Sequence, residues 1–352
     1  MIKSVKGGLT NIDVYVLSRE LQGKRFSKIV RIPGGYKIKI SGGADLLILP
    51  GRFIIPTSYV IEAGRPDNLA ILARKRLGNA RIDAFEQLNF DRILRIRTDR
   101  GSVIVESFGD GNIILTDEDD VIIYALHERD WRDRSVRRGV MYTPPPPPRI
   151  FPGISFEAFS QIFTAKDAVR SLVRAGIPPI YAEELCLRAG VDKNTPAPEL
   201  TDSQMEALYN AFTQLIDALH RPEPVVVRDG EDIVDVVPIP LSRYEGYEQE
   251  RFDSFSAALD VLTPHLFEIL EQSAEQRSKK GSMVEFWKKQ LEDAKRELSA
   301  LEQMIEKAYE HSYALEQAIA SARAGKPPQS VGPFKLKGYD GKELVYEFTP
   351  QP

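Results

Sequence analysis

Five consecutive prolines, Pro144 to Pro148, constrain this chain more than any other stretch. Each fixes φ near −65° and lacks an amide proton, so the run adopts polyproline II and cannot lie inside a helix or a sheet. It reads as a stiff spacer, within a linker over 143–153, between two regions whose apolar residues recur with different periods.

Before the prolines the period is mostly two. Thr10-Asn11-Ile12-Asp13 opens a helix with the Thr-x-x-acid pattern of a capping box, and that helix runs to about Gln22 before Gly23. Tyr36 to Ile40 alternates apolar and cationic residues, and with Leu46 to Leu49 it forms an expected hairpin. Asn68 is the expected cap of a short helix, Leu69 to Leu77, which carries Arg74-Lys75-Arg76 and stops at Gly78. Strands are expected at Asp91 to Thr98, Ser102 to Phe108, Asn112 to Leu115 and Val121 to Leu126, joined by turns at Asp99-Arg100-Gly101 and Gly109-Asp110-Gly111. Residues 1–142 therefore read as an α+β domain dominated by antiparallel sheet.

Beyond the prolines the pattern is helical. Ser155 to Phe163, Ala165 to Ala175, Pro179 to Ala189 and Thr201 to Leu219 form an expected bundle over 154–222. Residues 223–253 hold a hairpin, Val225 to Val227 with Ile233 to Val237, and a connector. Over 254–326 coiled-coil helices are expected. A first helix, Ser254 to Lys280, breaks at Gly281-Ser282, and a seam then runs through Trp287, Leu291, Ala294, Leu298, Leu301, Ile305, Ala308, Ser312, Leu315 and Ile319. At 1.5 Å per residue the seam reaches about 50 Å, which demands a partner helix. A short β-like tail, 327–352, ends abruptly, and the natural protein is expected to continue.

Charge is distributed unevenly. Residues 1–150 carry 25 Lys and Arg against 18 Asp and Glu, or +7, and the remainder carries −11 of the total of −4. A basic head on an acidic body points to an anionic partner for the head, with nucleic acid the first candidate, although charge alone is equally compatible with surface solvation. The single cysteine, Cys186, excludes an intrachain disulfide, and it falls on a core position of a helix. Met1 to Gly8 lacks the apolar run of a signal peptide and no eighteen apolar residues run together, so a cytoplasmic location with no membrane partner is expected.

Catalytic and metal chemistry is not expected. His127, His220, His265 and His311 sit in different segments without a ligand pair, and one cysteine cannot build a thiolate zinc site. Gly109-Asp110-Gly111 lacks the continuation of a phosphate loop, and Asp117 to Asp120 lacks the alternating ligand spacing of a calcium loop. No cofactor, metal or catalytic residue is assigned, so the chain reads as a binding protein and not an enzyme.

Asp91-Arg92 is the pair that stands out. Strand parity places Arg92, Leu94 and Ile96 on one face and Ile93, Arg95 and Arg97 on the other. An arginine on a half-apolar face calls for a carboxylate, with Asp13 and Asp91 as candidates, because an unpaired buried charge is costly. A purely structural ion pair, with Asp13 also complementing a helix dipole, remains the alternative.

These residues lie in a wider pattern: Leu9 to Asp13 with Arg19-Glu20-Leu21, Leu72 to Leu77, Phe90 to Ile93, and Val105 to Asp117. Together they resemble the N-terminal domain of the NFACT family, which includes ribosome-associated RqcH proteins and proteins labelled fibronectin-binding protein A. Ala175 to Pro178, Ala182 to Leu185 and Arg188 to Asp192 resemble its helix-hairpin-helix domain, and the seam from Trp287 is similar to one arm of its coiled coil. The resemblance implies an α+β fold with a glycosylase-like antiparallel-sheet N-terminal domain, a helix-hairpin-helix domain and a protruding coiled-coil helix. It implies RNA-binding: attachment to the large ribosomal subunit (rRNA and stalled peptidyl-tRNA) and recruitment of tRNA, most often alanyl-tRNA, for tailing without mRNA. Ribosomal RNA would perform the peptidyl transfer. Carried onto this sequence, Asp13, Asp91 and Arg92 are the expected tRNA contacts, with Arg74, Lys75 and Arg76 added for their charge.

Two departures qualify the resemblance. A phosphate-gripping hairpin repeats glycine two residues on, but Pro178 stands there and removes a donor. The returning coiled-coil arm and the C-terminal RNA-binding domain are not found, which leaves coiled-coil pairing or a homodimer open. The rivals are a repair glycosylase of the formamidopyrimidine type and a coiled-coil adhesin. The first needs an N-terminal proline followed by glutamate and zinc-finger cysteines, where this chain has Ile2 and Lys3. The second needs an export signal.

Overall fold

The computed structural model describes residues 7–340 and 342–348, apart from the side chains of 269–287 and 289. The readings made above on Met1 to Lys6, the Trp287 side chain and Pro352 lie outside the described residues. The chain forms two compact units, residues 1–270 and 271–352.

In the first unit the first element among the described residues is helix α1, Asn11–Glu20. Its capping box is formed: the Asp13 N–H donates to Thr10 Oγ1 at 3.1 Å, and the Thr10 N–H donates to Asp13 Oδ2 at 2.7 Å. A four-stranded antiparallel sheet follows, in the order β1 (Arg25–Ile32), β2 (Gly35–Ser41), β3 (Asp45–Leu49), β4 (Phe53–Thr57). The hairpin of β2 and β3 is the one expected from alternation. β1 escaped that reading because a bulge between Phe26 and Lys28 breaks its period of two. Helix α2, Asn68–Leu77, is capped by Asp67 and not by Asn68: Asp67 Oδ1 accepts from the Ala70 N–H at 3.0 Å.

A second antiparallel sheet runs in the order β5 (Ile82–Gln87), β6 (Ile93–Thr98), β7 (Gly101–Glu106), β8 (Asn112–Thr116), β9 (Ile122–Ala125). Both its faces are covered. Leu94, Ile96, Val103, Val105, Ile113 and Leu115 enter the main core, while Ile93, Ile104, Ile114 and Ile122 pack with Val136 and Tyr142 in a smaller one. Each such side chain contributes about 1.5–3 kcal/mol by leaving water, so the register of β6 is strongly specified. A miniature hairpin, β10 (Arg129–Asp130) with β11 (Ser135–Val136), follows.

The proline run does not part the core. One apolar cluster extends from Leu9 through Leu172 to Leu266, and the Ile150 N–H donates to the Ala175 carbonyl at 3.0 Å. The helices beyond it are α3 (Phe156–Ser160), α4 (Ala168–Ala175), α5 (Pro179–Arg188) and α6 (Asp202–Ala218). The hairpin expected near residue 230 is a three-stranded sheet, β12 (Val225–Asp229) flanked by β13 (Asp232–Val237) and β14 (Glu248–Arg251). Helix α7, Phe255–Asp260, starts against α1, where Glu20 accepts from the N–H groups of Phe255 and Ser256, each at 2.9 Å. Helix α8, Leu262–Glu310, then continues through Gly281-Ser282 without the expected break.

In the second unit Leu291, Leu298, Leu301 and Ile305 of α8 are each more than half exposed. The seam is not one helix, because a turn at His311 separates α8 from α9, Ser312–Arg323. α9 buries Ala318 and Ala322. The tail forms an antiparallel sheet, β15 (Ser330–Val331), β16 (Phe334–Tyr339), β17 (Leu344–Phe348), in which Phe334 faces Phe348. Among the described residues no helix is long and apolar enough to cross a membrane.

Candidate nucleic-acid interface

Asp91 and Arg92 follow the turn that joins β5 to β6. In it the Asp91 N–H donates to the Leu88 carbonyl at 3.0 Å, and the two central residues, Asn89 and Phe90, have φ of 54° and 51°. This is the sign pattern of a type I′ turn, in which the second central position favours glycine. A phenylalanine there costs about 1–3 kcal/mol of backbone strain and persists only where its surroundings hold it. Phe90 is buried and set edge-on to Tyr15 with centroids 5.6 Å apart. Its carbonyl accepts from the Asn11 side-chain amide at 3.1 Å. The Gln87 side-chain amide donates to the carbonyls of Asn11 at 2.7 Å and Asp91 at 2.9 Å, and that of Asn89 donates to Pro145 at 2.8 Å.

The turn delivers Asp91 and Arg92, both half-buried, to a cleft of about 720 Å³. Its walls are the segment from Gly7 to Asn11, Gly51, Pro146, Pro148 and the α4–α5 turn from Val173 to Pro179. Arg174 adds a second cation, and Asp91 is the sole carboxylate among the described lining residues. The expected ion pair of Arg92 is not formed. Among the described residues no carboxylate lies within ion-pair distance of its guanidinium, which instead sits 6.0 Å from the Phe108 ring centroid. Asp91 Oδ1 accepts from the backbone N–H of Arg92 at 2.7 Å, an arrangement that shapes the chain and leaves the side-chain charge for another partner.

Asp13 is brought close in the fold but not into the cleft. It is fully buried at the start of α1. Burial first, and then the Asp13 charge, push the buried Tyr181 phenol well above its ordinary range. Asp13 thus sets the first turn of α1, which forms one wall of the cleft. Arg74, Lys75 and Arg76 are exposed on the last turn of α2, and Arg74 and Lys75 line a separate depression with Lys28 and Arg31. They are not part of the Asp91–Arg92 site.

Glycines let a neighbouring turn close on the Gly51 wall. A Cβ on Gly111, at φ 73°, would fall 1.9 Å from the Gly51 nitrogen, so the β3–β4 and β7–β8 turns touch backbone to backbone. Gly176 offers no phosphate nest: its N–H donates to the Val173 carbonyl at 3.1 Å and its own carbonyl accepts from Asn11 at 3.0 Å. The acidic run is a structured turn, with Asp117 Oδ1 accepting from the N–H groups of Asp119 and Val121 and Asp120 paired with Arg95. Among the described residues no three His, Cys, Asp or Glu side chains converge as metal ligands.

Sequence reasoning missed Asn11, Gln87 and Arg174. Asn11 acts through the carbonyls of Phe90 and Gly176, and Gln87 through that of Asn11, all remote in sequence, and Arg174 reaches the cleft only through the docking of α4. The two positive φ values also had no signal, since Asn-Phe is not a turn dipeptide of the usual glycine type.

A family model for the NFACT N-terminal and middle domains matches residues 51–318. An archaeal Rqc2 homolog, aRqcH, from Methanocaldococcus jannaschii is 33% identical over 285 residues, which cover 73% of this chain and 42% of that protein. The chain thus spans about two fifths of the length of that curated relative. Among solved structures, the N-terminal part of the fibronectin/fibrinogen-binding protein from Streptococcus suis superposes with a TM-score of 0.56 at 21% identity, covering 73% of this chain and 100% of that one. The fibrinogen binding protein from Staphylococcus aureus gives 0.56 at 21% identity, covering 71% and 97%. At this identity both likenesses concern the fold.

Proposed function

This chain belongs to the NFACT family, and from that premise we propose that it is a cytoplasmic factor of ribosome-associated quality control. In this reading it binds the large ribosomal subunit that carries a stalled peptidyl-tRNA and recruits tRNA, alanyl-tRNA first among them, for C-terminal tailing without mRNA. The chain supplies position and not an active site, because holding two reactants in register is itself a large part of a rate enhancement.

The observation that carries the reading is the state of Arg92. It lines a cleft beside a strained turn, with its guanidinium free of any carboxylate among the described residues. A planar guanidinium in that state is matched by a phosphate or by the edge of a base, and unpaired tRNA loops present both. Asp91 lies beside it as an acceptor for a base amino group.

Pull-down of the full-length protein followed by sequencing of bound RNA tests this. Wild type is expected to enrich tRNA, and Asp91→Ala/Arg92→Ala to lose it. The same tRNA at the same yield from the double variant would remove the site from the proposal.

A further inference from the structure

A row of four side chains leads away from Arg92. The Phe108 ring lies 6.0 Å from the Arg92 guanidinium and 5.9 Å from that of Arg134, and Arg134 in turn lies 4.5 Å from the Trp131 ring. Cations and rings alternate along it.

Arg134 is fixed. It meets Glu106 as a fork, at 2.6 Å and 3.2 Å, with both side chains at most 5% exposed, and the Tyr142 hydroxyl donates to Glu106 Oε1 at 2.9 Å. A guanidinium committed in this way cannot reach out to a phosphate. It serves as a rigid cationic plane behind Trp131.

Trp131 is the opposite case. It sits in the loop of the β10–β11 hairpin, where its backbone N–H donates to the Arg134 carbonyl at 2.8 Å, and it is 41% exposed. With Phe108, His127 and Arg129 it bounds a depression of about 290 Å³, near the lower limit for small-molecule sites. A large ring held on a buried cation and left open to solvent is poised to stack on another planar group. Asp133, at the same depression, can accept from a base amino group.

We propose that the Trp131–Phe108 depression is a stacking pocket for one unpaired nucleobase of a single-stranded RNA segment whose backbone passes Arg92. This rests on the RNA-binding reading above and adds a second contact point to it. Stacking would be tolerant of sequence, because every base has a face to offer.

The test uses the whole chain carrying Trp287→Phe, which leaves Trp131 as the single indole of the two in the sequence. A short unstructured RNA oligonucleotide is titrated while indole emission is followed, and affinities are measured for Trp131→Ala, Trp131→Phe and Asp91→Ala/Arg92→Ala. Saturable quenching is expected, with affinity reduced roughly 5- to 150-fold in Trp131→Ala and largely retained in Trp131→Phe. RNA binding that leaves Trp131 emission and the Trp131→Ala affinity unchanged overturns the pocket, and loss in the Asp91/Arg92 variant alongside it leaves the wider reading standing. Absence of RNA binding by the parent chain overturns both. Quenching by an acidic peptide in place of RNA assigns the surface to a protein partner and also overturns the proposal.

Discussion

Asn11 and Gly176, 165 positions apart, are joined by a hydrogen bond of 3.0 Å from the Asn11 side-chain amide to the Gly176 carbonyl. The same amide serves the Phe90 carbonyl, so one side chain ties α1 to both the strained turn and the helix hairpin. Asn11→Ala leaves two carbonyls without this donor and is expected to cost about 1–3 kcal/mol. Asn11→Asp, which cannot donate, is expected to do no better. Urea unfolding of both variants checks this, and an Asn11→Ala midpoint equal to wild type would show that the bridge contributes nothing.

Two glycines of one turn should respond differently to alanine. Gly111 has backbone within 1.9 Å of where its Cβ would stand, whereas Gly109, at φ 57°, has nothing within 4 Å. Gly109→Ala should cost only the left-handed backbone term, roughly 1–2 kcal/mol. Gly111→Ala must push two turns apart and should cost at least about 3 kcal/mol. Thermal midpoints of the two single variants would order them, and equal losses would contradict the close approach.

Arg92 should matter more for binding than for folding. It has no ion pair to lose among the described residues, and its contact with Phe108 contributes about 0.5–1 kcal/mol. Arg92→Ala is therefore expected to keep stability within about 1 kcal/mol, to weaken RNA binding, and to lower the slope of log affinity against log salt by about 1. A stability loss near 4 kcal/mol would mean that the side chain is a buried, paired charge after all.

Burial, with Asp167 adding its charge, pushes the Cys186 thiol up to about 11. An unfolded chain ionises this thiol near 8.5. Between those values the folded state holds the proton and the unfolded state releases it. The stability tied to Cys186 is thus fully present below about pH 8.5 and is lost as pH rises toward 11. Buried tyrosines act in the same direction, so the difference between wild type and Cys186→Ala, followed by denaturant unfolding from pH 7 to 10.5, isolates the thiol. Alkylation of native protein at pH 8 should be slow and should accelerate with urea.

Much of the architecture was legible because it depends on local periodicity. The β2–β3 hairpin, strands β6 to β9 and the helices from α4 to α6 follow from patterns in which each residue reports its own burial, and Thr10 with Asp13 announced the start of α1. β14, Glu-Gln-Glu-Arg, carries no apolar residue and is a strand only because β12 lies beside it. The prolines were read correctly as unable to join a sheet or helix, but whether they separate two cores or wall a cleft depends on what packs around them.

The sequence by itself determined the α+β layering and the strand parity that sets Leu94 and Ile96 into the core, and it singled out Asp91-Arg92, which the structure places together in one cleft. Tertiary structure alone decided that Arg92 has no carboxylate partner among the described residues, that Asp13 faces inward, and that Arg74 to Arg76 occupy another surface. The reason is physical. Burial pattern is a property of neighbours within a few residues along the chain, whereas the partner of a charge is whatever group folding brings within about 4 Å, and in this chain the Glu20 carboxylate finds the N–H groups of Phe255 and Ser256, 235 and 236 residues away.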